Sequence, residues 1–189
     1  MVDAGWMWEV VPDDEVAEGR PIRLHLGCGQ TRLEGFINID LVGSEADRLM
    51  DATRLEFADG SIDEIYSSHL VEHFAYGKFL KALANWHRVL RPGGLLTIRC
   101  PNIERVLKNW LNADYEKRFG KGNLGVSAIL GHQDRGLRNI HRNVFTPRRL
   151  REIVSGAGFE VTECGAVMNR YGDGPEGDIL LRAVRGEGK

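Results

Sequence analysis

Gly27-Cys28-Gly29 is followed by single acids at Asp40 and Asp51, and later by His69, Glu72, His73 and His141. Glycine lets a backbone come close to a ligand and adopt positive φ. Carboxylates are pure acceptors. One at a strand end can take both hydroxyls of a ribose, and another can accept from the exocyclic amine of an adenine. Imidazole titrates near neutral pH, so the histidines are the natural proton-transfer groups of this chain.

These residues need elements to place them. Ile22-Arg23-Leu24-His25-Leu26 alternates apolar and polar residues and runs into the glycines, which reads as a strand entering a tight loop. Phe36 to Asp40 is a second short strand ending in a carboxylate. Arg48 to Met50 is a weaker third, ending at Asp51, and Ile62 to Tyr66 is a fourth. Phe79, Leu83, Trp86 and Leu90 recur at helical spacing over 78–90, and Arg91-Pro92-Gly93-Gly94 stops that helix. Leu95 to Cys100 is a fifth strand. Pro101-Asn102 caps a helix with Glu104 in its first turn and a buried stripe of Ile103, Val106, Leu107, Trp110 and Leu111. Residues 119–145 are irregular. Thr146-Pro147 opens a helix whose stripe is Leu150, Ile153, Val154 and Ala157. Phe159 to Cys164 and Asp178 to Val184 are the last strands. No helix separates them, so the final strand is expected to be antiparallel.

Strands alternating with helices predict an α/β fold, Rossmann-like, with a mostly parallel sheet, helices on both faces and an antiparallel last strand. Ligands bind such sheets beyond the carboxyl ends of the strands, where the glycines, Asp40 and Asp51 fall. We expect an N-terminal arm over 1–20 and a single domain over 21–189.

Composition agrees with an ordinary folded domain. The 189 residues are 42% hydrophobic and 28% charged with net charge −2. That excludes disorder and gives no whole-molecule pull toward nucleic acid or an anionic membrane. Cys28, Cys100 and Cys164 form no CxxC pair and are expected to be reduced thiols. No positive n-region with an apolar stretch opens the chain, and no apolar run approaches a membrane span, so a cytoplasmic location without membrane insertion is expected. The 23 glycines exceed the about 7% that is usual. They concentrate in turns and in the irregular 119–145 region.

Several stretches together carry a resemblance: Leu24-His25-Leu26-Gly27-Cys28-Gly29, Gly35-Phe36-Ile37-Asn38-Ile39-Asp40, Met50-Asp51-Ala52, Asp63 through Ser67-Ser68-His69-Leu70-Val71-Glu72-His73, and Arg88-Val89-Leu90-Arg91-Pro92-Gly93-Gly94. The sequence resembles the class I S-adenosylmethionine-dependent methyltransferases, and is most similar to a compact bacterial subgroup associated with glycan and cell-envelope gene sets. The resemblance implies S-adenosylmethionine as cofactor and S-adenosylhomocysteine as product. It implies that Gly27 and Gly29, with neighbouring Leu26 and Cys28, border the methionine part, that Asp40 meets the ribose, that Asp51 and Ala52 meet the adenine, and that Leu41 beside Asp40 also contacts the cofactor. Ser68 and His69 would lie under the methionine and sulfonium region. The family's helix after the glycine loop is shortened here to Gln30–Gly35, which leaves Gln30 and Arg32 as candidates for the cofactor carboxylate. The segment 102–145 occupies the position of the substrate cover, so Asn102, His132, Arg135 and His141 are expected at a small-molecule or glycan acceptor, an anionic one among the candidates. For transfer to a hydroxyl or amine, His69, His73 and His141 are the candidate bases and Glu72 can orient one of them.

Other readings of the same residues are weaker. A nicotinamide-binding domain expects G-x-G-x-x-G opening a helix and an acid about 20 residues on; here Asp40 comes sooner. His69-Leu70-Val71-Glu72-His73 fits an inverted zinc-protease motif, which needs a long helix, so no metal is expected. Glu72 and His73 can also simply pair locally. Arg135, Arg138, Arg142, Arg148, Arg149 and Arg151 form a basic cluster that reads either as a solvated face or as a site for an anionic acceptor. A cofactor-binding but catalytically silent partner subunit remains the alternative function.

Overall fold

The computed structural model describes residues 20–43, 45–111, 129–131, 139–168 and 177–186. Seven strands form one sheet in the order β3-β2-β1-β4-β5-β7-β6. They are β1 (Arg23–Leu26), β2 (Ile37–Asp40), β3 (Arg48–Leu49), β4 (Ile62–Ser68), β5 (Leu90–Pro101), β6 (Phe159–Val167) and β7 (Asp178–Arg185). The first five are parallel, and β7 runs antiparallel between β5 and β6. The chain leaves β1 toward β2 on one side and later returns to β4 on the other. This reversal of strand order opens a crevice beyond the carboxyl ends of β1 and β4.

Three α-helices are described: α1 (Tyr76–Val89), α2 (Ile103–Trp110) and α3 (Pro147–Gly156). Among the described residues, each lies in a connection after β4. The links from β1 through β4 are loops.

Register explains how the sheet is used. Ile37, Leu24, Ile65, Leu96 and Ala183 stand side by side in neighbouring strands, so they share one face. Leu24, Ile65, Leu96 and Ala183 are buried in one core with Phe79, Leu83 and Trp86 of α1 and with Leu150 and Val154 of α3. The next row, Asn38, His25, Tyr66, Thr97 and Arg182, points to the other face. Asn38 and His25 are buried there and bond to each other, His25 Nδ1 to Asn38 Oδ1 at 3.0 Å.

Element boundaries moved where backbone pairing overrode local signals. Arg91-Pro92-Gly93-Gly94 does end the helix, but β5 already begins at Leu90, because Leu90 pairs with Ile62 ahead of a register shift. The stripe expected on α2 is a correction: Leu107 is 40% exposed and Leu111, just beyond the helix, 84%. Periodicity defined a helix face there but could not say what would cover it. α3 starts at Thr146-Pro147 as expected, and Thr146 caps it, its Oγ1 accepting from Arg149 N at 3.1 Å. All three cysteines are free thiols. None of the described helices is long and apolar enough to cross a membrane.

Candidate active site

The β1 loop is welded to the end of β2. Gly27 N and Cys28 N both donate to Ile39 O, at 2.8 and 3.2 Å. Gly29 N donates to Asp40 Oδ2 at 2.8 Å, while Leu41 N donates to Oδ1 at 2.7 Å. Asp40 is therefore oriented by backbone amides and retains acceptor capacity for a ligand. Gly27 and Gly29 both have positive φ, +69° and +56°. At Gly27 a side chain is doubly excluded, because a Cβ would stand 2.8 Å from Leu70 Cδ1. That contact seats the loop directly on the turn after β4. Leu26 and Cys28 are buried, so their side chains help hold the loop and only their backbone can face a ligand.

Asp51 follows β3. Its Oδ1 accepts from Thr53 N and Thr53 Oγ1, both at 2.8 Å. Ala52 is buried, and its carbonyl accepts the Trp86 indole N–H at 2.7 Å. Leu41 and Leu49 beside these acids are 56% and 58% exposed. Exposed large apolar side chains next to oriented acceptors suit a flat ring with polar edges.

The loop 27–36 has no helix, and a polar clip replaces one. Asn38 Oδ1 accepts from Leu33 N at 2.9 Å, and Asn38 Nδ2 donates to Leu33 O and Phe36 O. Asp47 Oδ2 accepts from Asn38 N at 2.7 Å. Arg32, expected at the cofactor carboxylate, is tied instead to Asp47 and to the Glu45 carbonyl. The physical reason is Asp47 itself, an acid reached only through the fold. Gln30 is exposed in the loop turn.

Beyond β4 the chain turns sharply. His69 has φ of +54°, the one non-glycine residue in the left-handed region among the described residues. Such strain is a mark of a position that the surroundings over-determine. A single 3-10 turn, Val71–His73, follows. His69 Nδ1 lies 3.3 Å from Glu72 Oε1, and Nε2 lies 3.2 Å from Asp178 Oδ2. Asp178 also takes Arg99 Nε at 2.7 Å. Burial alone would push the His69 pKa down, but the Asp178 and Glu72 carboxylates outweigh it and hold it at about 9. Both ring nitrogens thus face carboxylates and His69 stays an imidazolium. This corrects its reading as a base: a histidine between two acids has no lone pair to offer. Asp178, although buried, stays below the ordinary carboxylate range because His69 and Arg99 stabilise its charge.

Asp178 and Arg99 were missed as site residues. Asp178 starts an antiparallel strand, which places it at the same sheet edge as the ends of β4 and β5; only the topology shows this.

His73 and His141 meet at the next layer. Their rings pack edge to face with centroids 4.9 Å apart. His73 Nδ1 lies 3.2 Å from the Ile140 carbonyl. Arg142 N and Asn143 N donate to Glu72 O at 2.8 and 3.1 Å, lacing this segment to the β4 turn. A small cavity there is lined by Glu72, Pro101, Ile103, His141, Asn143 and Phe145. Asn102, expected also at the acceptor, is buried, and its Oδ1 accepts from Glu104 N at 3.2 Å as the cap of α2. Ser68 Oγ is buried without a protein partner, so it can meet a ligand. His132, Arg135 and Arg138 lie outside the described residues, as does residues 1–19 of the expected N-terminal arm.

Residues 39–98 match a family model described as a methyltransferase domain. No curated protein is significantly similar to the chain. Solved structures share its fold over nearly the whole length. A Methanosarcina mazei structure described as a SAM-dependent methyltransferase has TM-score 0.60 and 16% identity, covering 93% of this chain and 97% of that one. An S-adenosylmethionine-dependent methyltransferase from Mesorhizobium loti has TM-score 0.60 and 14% identity, covering 88% and 92%. The Burkholderia thailandensis 1,6-didemethyltoxoflavin-N1-methyltransferase, solved with bound 1,6-didemethyltoxoflavin and S-adenosylhomocysteine, has TM-score 0.58 and 16% identity, covering 89% of this chain and 73% of that one.

Proposed function

We propose that this chain, which carries a methyltransferase domain on the class I fold, moves the methyl group of S-adenosylmethionine to a hydroxyl or amine of a small or glycan-type acceptor. The observation that carries this reading is the bond from Gly29 N to Asp40 Oδ2, with Asp51 just beyond the end of the next strand. It makes one continuous acceptor-lined shelf from the β1 loop to β3. Asp40 would take the ribose hydroxyls. Asp51 and Ala52 would meet the adenine edge, with Leu41 on its face. Gly27, Gly29 and Ser68 would border the methionine end.

The chemistry is a direct displacement. The acceptor oxygen or nitrogen forms a bond to the methyl carbon while the carbon–sulfur bond breaks, leaving its electron pair on sulfur. The acceptor's proton must depart. The protein's main contribution is holding the acceptor in line with the sulfonium methyl. With His69 locked between two carboxylates, the proton would be handled at the Glu72, His73 and His141 group, of which Glu72 and His141 line the cavity. His132 and Arg135 stay acceptor candidates on sequence grounds, since Arg138 and Arg142 follow them in the chain and such a basic run favours an acceptor bearing a phosphate or sugar carboxylate.

Calorimetry with S-adenosylhomocysteine tests the cofactor half. The wild type is expected to bind, and Asp40→Ala to lose at least about tenfold in affinity, as removal of a charged hydrogen-bond acceptor does. No binding by folded wild type would overturn it. Methyl transfer to a panel of sugars, sugar acids and nucleotide sugars, read with labelled cofactor, tests the acceptor half.

A further inference from the structure

Glu72, His73 and His141 each bring one ligand atom to a common point, all within 4.8 Å of one another. Glu72 is 2% exposed; His69 Nδ1 stands 3.3 Å from its Oε1, while its Oε2 is buried without a hydrogen-bond partner. A buried carboxylate in that state has lost its water without full replacement, and it calls for a cation. His69 supplies one on one side, at 3.3 Å from Oε1. The cavity shared with His141 and Asn143 lies at the same carboxylate, and the Asn143 amide nitrogen is also buried without a hydrogen-bond partner.

The histidines are prepared in the way metal ligands are. The Ile140 carbonyl receives His73 Nδ1–H, so in the neutral ring Nε2 carries the lone pair. A backbone carbonyl behind the ring is a usual outer contact of a ligating histidine. His141 N is held by Leu130 O at 3.1 Å, and the two residues after His141 are bonded to the Glu72 backbone.

We propose that Glu72, His73 and His141 bind a first-row divalent transition metal of the Zn2+ type. Two imidazoles and one carboxylate are a zinc donor set with an open fourth position, whereas Mg2+ and Ca2+ take oxygen ligands. Tetrahedral bonds of about 2.0–2.2 Å put ligand atoms roughly 3.4 Å apart, so the three groups draw together by about an ångström on loading. The site differs from the inverted protease motif in the sequence. His69 is excluded because both its nitrogens face carboxylates, and His141 comes from a distant segment. The role of the metal rests on the methyl-transfer reading: its open position would take the acceptor hydroxyl or amine and lower the pKa of that group. Metal binding itself does not depend on that reading.

The test is titration of Zn2+ and Co2+ into the chelator-stripped full chain, followed by calorimetry and by cobalt visible absorption. The expected result is about one equivalent per chain with an intense tetrahedral cobalt band. His73→Ala and His141→Ala should each weaken binding about 100-fold or more, and Glu72→Gln should do the same where circular dichroism shows it folded. His87→Ala, on α1 and outside the cluster, should bind like the wild type. The proposal is overturned if the wild type takes up no stoichiometric metal, or if the two His variants bind as the wild type does. Asp40→Ala separates the two readings. Metal binding that survives a loss of S-adenosylhomocysteine binding supports both. Cofactor binding without metal overturns only the site, and metal binding by a wild type that ignores the cofactor overturns only the methyl-transfer reading.

Discussion

His69 Nε2 lies 3.2 Å from Asp178 Oδ2, which joins the turn after β4 to the first residue of β7 across an interval of 109 residues. Arg99 at 2.7 Å from the same oxygen completes a buried group of alternating charge. Asp178→Asn leaves two cations beside a neutral amide. Removing one member of a buried pair is costly, and the partial exposure of the two cations puts this case at about 2–3 kcal/mol. Urea denaturation at neutral pH should show the midpoint fall at unchanged slope. A loss below about 0.5 kcal/mol would show the group to be structurally idle.

The two loop glycines should respond differently to alanine. At Gly29 a Cβ meets open space, so Gly29→Ala carries only the strain of positive φ, about 1 kcal/mol. At Gly27 the Cβ also collides with Leu70, and the loss should be larger by about 1–3 kcal/mol, as for other overpacked sites. Thermal melts of the two variants, measured side by side, give the order.

Acid sensitivity has a specific contributor at the start of β4, at the opposite end of that strand from His69. Arg91 beside Asp63, helped by the Ile22 amide, holds the Asp63 carboxyl below the ordinary carboxylate range. A depressed folded pKa adds stability above the unfolded value, and that stability is lost as pH falls through the folded one. Asp63→Asn should therefore destabilise at pH 7 by under about 1 kcal/mol, since Arg91 is half exposed, and by progressively less as pH falls below about 4. Chemical denaturation at several pH values reads the difference. A penalty that stays constant with pH would assign the effect to something other than charge.

Trp86 reaches from α1 to the Ala52 carbonyl, at the end of the shelf proposed for the adenine. Trp86→Phe keeps most of the buried ring but leaves the Ala52 carbonyl without its indole donor. The unmade bond should cost about 1–3 kcal/mol of stability, with a several-fold loss of S-adenosylhomocysteine affinity. If stability falls and affinity does not, the Ala52 turn is no part of the cofactor site.

Local sequence carried the strands that bear the glycine loop, Asp40 and Asp51, because alternation and punctuation are short-range signals. It also carried the helix start at Thr146-Pro147 and the antiparallel end of the sheet, the latter because no crossover helix fits between β6 and β7. The early start of β5 at Leu90 escaped it, since Arg-Pro-Gly-Gly reads locally as a break while pairing with Ile62 decides otherwise. The exposure of Leu111 escaped it as well, since a periodic stripe states which residues share a face and not what lies opposite.

By itself, then, the sequence determined which groups stand at the ends of successive strands, since each follows its strand directly in the chain. Tertiary structure alone decided their chemical state. Arg32 was drawn to Asp47, His69 was enclosed by Glu72 and Asp178, and His141 was carried to His73 and Glu72. Charge, tautomer and coordination depend on neighbours a few ångströms away in space, and those neighbours come from segments up to 109 residues apart.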